Sequence, residues 1–190
     1  MATKIEICNR ALQKIGARTI NALTEDSKNA RSVNLAFDSC KLAELADHDW
    51  NCAIKRAQLA EDSTAPLFGK EAAYTLPSDF VRLLDPDELD NTNQLDWQIE
   101  NGKIYTDDSA PLEIRYIKNI TNTSDFDPLL AEVLACRIAL EICEDITQSN
   151  QKLQNISSLY QEALKKAKKS NAFQRRRIRP PEDDWLTVRN

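Results

Sequence analysis

Two groups of side chains in this sequence are dense enough to do chemistry, and they carry opposite charge. Arg175, Arg176, Arg177 and Arg179 crowd together near the C-terminus. Such a cluster can neutralise the phosphates of a nucleic-acid backbone, releasing counterions as it binds, or it can anchor a protein interface. Farther upstream, the carboxylates of Asp85, Asp87, Glu88, Asp90, Asp96, Glu100, Asp107 and Asp108 stand almost unopposed. Two carboxylates at a defined separation can hydrolyse a glycosidic bond, provided an apolar pocket raises the pKa of one of them. The sequence marks no such pocket, and acidic residues along an exposed sheet edge have a simpler use, since charge blunts edge pairing.

Other catalytic chemistries find little material. The single histidine, His48, sits among Asp47, Asp49 and Trp50 at an expected helix end, where the helix dipole favours a cationic ring. No serine or cysteine lies in a nucleophile context such as GxSxG. The five cysteines, Cys8, Cys40, Cys52, Cys136 and Cys143, are odd in number and form no CxxC or Cys/His cluster. They read as reduced, buried small hydrophobes rather than zinc ligands or a disulfide framework. Cys136 and Cys143 share a helix face but stand about 10 Å apart along its axis, beyond disulfide reach. With only three glycines there is no glycine-rich phosphate loop. No enzymatic activity, cofactor or metal is therefore expected.

The net charge of −5 is opposite to the usual footprint of a DNA-binding domain. The arginines then belong to a protein interface, and an acidic surface would keep a DNA path from sticking. No apolar run approaches the roughly 20 residues of a membrane span, and the N-terminus enters a charged helical pattern without a signal-peptide core. The chain is expected to be made in the cytoplasm. Asn-x-Ser/Thr triplets at Asn119, Asn122 and Asn155 are then chance matches.

These residues need elements to position them, and the patterning predicts an α+β fold. Thr3-Lys4-Ile5-Glu6 fits a capping box, and Ile5, Cys8, Ala11, Leu12 and Ile15 recur at helical spacing until Gly16, a C-cap residue. Ser27 caps a second helix reaching His48, with Ala30, Val33, Phe37, Cys40, Leu42 and Leu45 as its stripe. From Ala57 prolines break helices, while Ala73-Tyr74-Thr75-Leu76 and the segment 112–117 alternate like strands. Asn101-Gly102, between Trp97-Gln98-Ile99-Glu100 and Lys103-Ile104-Tyr105-Thr106, supplies both positive-φ positions of a type I′ hairpin.

Asp127-Pro128 opens a third helix lined by Leu129, Leu130, Val133, Leu134, Ile138, Leu140, Ile142 and Ile146. A fourth, over residues 150–170, has Leu153, Ile156, Leu159, Tyr160, Ala163, Leu164 and Ala167 as its stripe. Lys165, Lys166, Lys168 and Lys169 sit at its dipole-favoured end. Pro180-Pro181 forbids further helix, leaving an extended arm. The expected organisation is a bundle of four main helices from both chain halves (1–56 and 124–172), an antiparallel β-rich insertion (57–123) and a C-terminal arm (173–190). Exposed arginines and Trp185 on such an arm seek partners.

Several segments, in order along the chain, carry a resemblance to a known family. They are Ile7-Cys8-Asn9-Arg10-Ala11-Leu12 with Ile15-Gly16, Ala30-Arg31, Asp49-Trp50-Asn51-Cys52-Ala53 with Arg56-Ala57, and Tyr74-Thr75-Leu76-Pro77-Ser78-Asp79. Ala110-Pro111-Leu112-Glu113-Ile114-Arg115-Tyr116-Ile117 and Phe126-Asp127-Pro128-Leu129 follow. Up to about residue 172 the chain resembles the head-to-tail adaptors of tailed phages, the group of tail tubular protein A and head-completion proteins.

The resemblance implies a virion protein that forms a ring, generally of twelve copies, beneath the portal. It bears the tail tube or nozzle, and DNA passes through its centre without sequence-specific binding. On that footing the arm, through Arg175, Arg176, Arg177, Ile178, Arg179 and Trp185, is expected to meet the portal or a neighbouring subunit. Asp85, Asp87, Glu88 and Asp90 are expected to face the tail or the channel. The alternatives are a virion-associated peptidoglycan hydrolase, of which no catalytic motif is matched, and a nucleic-acid-binding accessory protein using the arginine arm.

Overall fold

In the first turn of the chain, the Thr3 hydroxyl accepts the Glu6 N–H at 3.3 Å while the Glu6 carboxylate accepts the Thr3 N–H at 2.8 Å. This reciprocal cap satisfies two donors that a helix start otherwise leaves open, and it begins α1, Lys4–Lys14. The computed structural model describes residues 2–84 and 96–174. Gly16 ends α1 with φ +72°, and the Ala17 N–H returns to the Leu12 carbonyl at 2.9 Å, the closing bond of a Schellman cap. The Asn9 side chain both donates to and accepts from the backbone of Ile20, at 2.9 Å each way, fixing the turn toward the next helix.

The second helix, α2, spans Lys28–Asp47 behind its Ser27 cap, and His48 closes it. The third, α3, spans Pro128–Thr147, with the Asp127 carboxylate accepting the Leu129 N–H at 2.8 Å. The fourth, α4, spans Asn150–Phe173 behind Ser149. Packed against α1, α2 and α4, α3 is the central element of the helical layer. Its Val133, Ala135, Ile138, Ala139 and Cys143 are fully enclosed. Truncating an enclosed aliphatic of this kind to alanine costs about 2–5 kcal/mol.

Six described strands fall between α2 and α3 in sequence: β1 Ile54–Leu59, β2 Ala72–Thr75, β3 Phe80–Leu84, β4 Trp97–Glu100, β5 Lys103–Thr106 and β6 Leu112–Lys118. They form two antiparallel three-stranded sheets, ordered β1-β6-β3 and β2-β5-β4. Neighbouring residues of β6 point to opposite faces, as the period of a strand requires. Ile117 joins the helical core, while Leu112, Ile114 and Tyr116 join a second core with Leu59, Ala72, Tyr74 and Ile104. The first sheet thus lies between the helices and the second sheet. Among the described residues no helix is long and apolar enough to cross a membrane.

The α+β class, the four helices, their caps and the Asn101-Gly102 hairpin agree with the sequence reading; Asn101 and Gly102 take φ +46° and +74°. Four details differ. Strand β1 begins at Ile54, before the change of character read at Ala57, and β3 lies in a segment not read as a strand. Helix α4 continues past 170 through Phe173, the residue at which the arm is expected to begin. Leu42, Leu129 and Leu159, assigned to buried stripes, are 40%, 37% and 46% exposed. They lie at the margins of their helices' apolar faces, where the neighbouring element does not reach.

Candidate interaction surface

The expected interface residues Arg175, Arg176, Arg177, Ile178, Arg179 and Trp185 lie outside the described residues, as do Asp85, Asp87, Glu88 and Asp90. What the structure describes is the root from which the C-terminal segment departs. Asn171, in the last turn of α4, is 7% exposed. Its Oδ1 accepts the Asn51 N–H at 2.9 Å, and its Nδ2 donates to the Asp49 carbonyl at 2.8 Å and lies 3.2 Å from His48 Nε2. Asn51 Nδ2 in turn donates to the Asn171 carbonyl at 2.8 Å and to Gln174 Oε1 at 3.2 Å. One amide therefore welds the end of α4 to the segment joining α2 and β1. Arg82 on β3 binds the Asp49 carboxylate, which extends the weld into the first sheet.

His48, expected at a helix end, is this junction's C-cap, its ring edge-on to Trp50 with centroids 4.8 Å apart. Trp50 is buried, and its indole N–H donates to the Glu44 carbonyl at 2.8 Å.

Glu44 itself is a polar group placed in the helical core, 1% exposed on α2. Its Oε1 accepts from the Tyr160 hydroxyl at 2.6 Å and from Arg137 Nη1 at 3.1 Å, so α2, α3 and α4 meet on one carboxylate. Its Oε2 is buried without a partner among the described residues. Burial, followed by the hydrogen bond to Glu44, pushes the Tyr160 phenol up to about 12. This arrangement orders three helices and leaves no acid or base open to a substrate. A signal for it was present in the sequence: Glu44 falls in phase with Phe37 and Cys40 on the apolar stripe of its helix.

Among the described residues, several of the remaining acids are less free than the sequence suggested. Asp96 and Asp107, read as almost unopposed, share Lys70, whose Nζ lies 2.6 and 2.8 Å from them. Lys70 comes from a segment distant in sequence, which is why local charge counting misses it. Its hydrogen bond, with that of the Glu71 N–H, holds the Asp107 carboxyl below the ordinary aspartate range. Lys103 does the same to Asp62, helped by Thr75, and Lys55 to Asp79, helped by the Tyr116 hydroxyl. Carboxyls held ionised in this way are the reverse of what a general acid requires. Asp108 instead accepts from the Thr106 hydroxyl at 2.7 Å.

All five cysteines are free, and burial pushes the Cys8 and Cys40 thiols up to about 11, far from the thiolate a nucleophile needs. Among the described residues no cluster of His, Cys, Asp and Glu is placed to hold a metal ion.

One surface feature has no counterpart in the sequence reading. In the connection between β1 and β2, Leu67 and Phe68 are 97% and 88% exposed. Proline and glycine flank this pair, and only its two large apolar residues amid turn formers could have signalled it. No protein-family model matches this chain, and no curated protein is similar to it.

Proposed function

We propose that this chain is a structural head-to-tail adaptor of a tailed phage, without a catalytic site. One observation carries the reading: several residues that bear the family resemblance hold joints of the frame. Asn9 fixes the turn after α1, Asn51 binds Asn171, Asp49 binds Arg82, Asp79 joins Lys55 to Tyr116, and Asp127 caps α3. These residues sit between elements, which suits a part whose work is to hold shape among neighbours.

In this reading residues 57–123 form a β-rich insertion within a helical bundle, and the residues beyond α4 form an extended arm. Copies of the chain, generally twelve, close into a ring through heterologous lateral contacts. The arm grips the portal or a neighbouring subunit through Arg175, Arg176, Arg177, Ile178, Arg179 and Trp185. Asp85, Asp87, Glu88 and Asp90 face the tail or the channel, where negative charge keeps passing DNA from adhering. A tail tube or nozzle protein docks on the opposite axial face. The ring is assembled in the host cytoplasm and ends in the virion. The hydrolase alternative draws no support from Asp62, Asp79 and Asp107, whose pKa values are lowered rather than raised.

The test is to mix the purified chain with the portal rings of its phage, then follow the mixture by size-exclusion chromatography and negative-stain electron microscopy. A collar of regularly spaced copies on the portal is the expected result. A chain that stays apart from intact portals, under conditions where other tail proteins attach, overturns the reading.

A further inference from the structure

Leu67 and Phe68 stand almost wholly in solvent on a connection that is nonetheless pinned at its base. Lys70, only 13% exposed at its side chain, is gripped by Asp96 and Asp107, and the Glu71 N–H donates to Asp107 Oδ1 at 3.0 Å. Gly69 takes φ +89°, a conformation other residues rarely adopt. Two large apolar side chains held outward on an anchored turn gain nothing for the isolated fold, because they bury no area in it. Their use lies in a contact with something else.

The charge around the tip decides what that contact is. Glu100 lies beside it together with Lys70 and Lys103, Glu71 follows Lys70 in sequence, and the lysines bring the carboxylates of Asp96, Asp107 and Asp62 to this region, five acids against two bases. Both lysines are already bound to carboxylates, Lys103 to Asp62 at 2.8 Å. An acidic rim is repelled by anionic lipid headgroups, so the tip does not suit a membrane surface. It suits an apolar patch edged with basic residues, and this chain carries one. At the end of α4, Lys166, Lys169 and Phe173 follow one another at three- and four-residue spacing, hence on one helix face, where Lys166 is paired with Glu162 at 2.7 Å and Lys169 adds a further positive charge. Phe173 is 73% exposed, and Lys165 is exposed beside this stripe. Tip and patch do not cover each other within one copy, since both are exposed.

We infer that the Leu67-Phe68 tip of one copy docks on the lysine-edged Phe173 patch of a second copy. The contact is heterologous, joining two different surfaces, and it therefore propagates from copy to copy and can close a ring. It rests on the ring reading above and supplies that ring with a lateral contact.

The experiment places the photo-crosslinker p-benzoyl-phenylalanine at position 68 of the full chain, alone and with portal rings, and maps the adducts by mass spectrometry. Adducts between copies that map to residues 165–174 are expected. Leu67→Ser with Phe68→Ser should weaken association between copies by about tenfold or more, as loss of an aromatic anchor does. Thermal unfolding of the monomer should stay unchanged, because neither side chain is packed. Lys166→Glu with Lys169→Glu should weaken it likewise, and Glu71→Lys with Glu100→Lys on the partner copy should restore it.

Rings that form normally while adducts map elsewhere overturn this contact and leave the ring reading standing. A chain that never associates, with or without portals, overturns both. Phe68-dependent flotation with anionic vesicles, without adducts between copies, overturns it in favour of lipid.

Discussion

Asn51 donates to Asn171 twice, from its backbone N–H to Oδ1 at 2.9 Å and from its side-chain amide to the main-chain carbonyl at 2.8 Å. The two residues lie 120 positions apart, and their contact fixes where α4 stops relative to the start of β1.

Replacing Asn171 by leucine keeps the volume but removes the acceptor of the Asn51 N–H and the donor to the Asp49 carbonyl. Leaving buried backbone groups unpaired costs about 1–3 kcal/mol. Urea unfolding of Asn171→Leu should show a loss of that size, with the last turn of α4 exchanging its amide hydrogens faster. Asn51→Ala spares the backbone bond and should cost less. Equal losses in the two variants would mean that the two sets of bonds, which do not overlap, contribute alike.

The Glu44 cluster allows an ordering to be predicted. In Glu44→Gln the amide oxygen still accepts from Tyr160 and Arg137, and the buried carboxylate charge is gone while the partly exposed Arg137 keeps its own. In Arg137→Met the carboxylate stays buried and loses its one cation among the described residues. Arg137 is itself partly exposed, which tempers the pair's strength. Arg137→Met is expected to destabilise by about 1–3 kcal/mol and Glu44→Gln by less. Chemical denaturation of both variants at neutral pH checks the order, and the reverse order would mean that the charge itself is stabilising.

Asp79 gives the fold an acid-sensitive joint. Its carboxyl is held below the ordinary value of 3.8, chiefly by the hydrogen bond from Lys55, with the Tyr116 hydroxyl adding to it. Unfolding removes both donors and returns the carboxyl to its ordinary value. A depressed folded pKa contributes stability that is full above the unfolded value and is lost as pH falls through the folded one. Asp79→Asn should therefore be less stable than the parent at neutral pH, and the gap should narrow below about pH 4. Unfolding midpoints measured from neutral pH down to about pH 2.5 test this, and a gap constant over that range would assign the loss to hydrogen-bond geometry alone.

Local signals made much of this architecture readable. Thr3 with Glu6, Asp127 with Pro128, and Asn101 with Gly102 each state their turn or cap within a few residues, and all three form. β3 was not readable, because Val81 faces the helical core while Phe80 and Leu83 face the second core. A strand covered on both sides loses the alternation that identifies one. β1 fails for the opposite reason, since most of its residues are only partly covered and its apolar positions are too few to show a period. The joint between Asn51 and Asn171, the clamp of Lys70 on Asp96 and Asp107, and the exposure of Phe68 are tertiary facts. Each depends on which distant segment arrives at a given surface, and no window of sequence holds that information.

Gly16 shows how a local signal and a distant contact bear on one residue. Its φ of +72° would strain a side chain by about 1–2 kcal/mol. A Cβ there would also stand 3.4 Å from the Lys152 ammonium, which donates to the Ile15 carbonyl at 2.9 Å and covers the end of α1. Gly16→Ala should therefore lose that strain energy and also disturb the bond from Lys152. Lys152→Met removes the ammonium but keeps the apolar stem, so the added effect of Gly16→Ala in that background should shrink to the backbone strain alone. A double-mutant cycle by thermal unfolding measures the difference. Strict additivity would show that the alanine methyl sits beside Lys152 without displacing it, and that backbone conformation is the whole reason for glycine at this helix end.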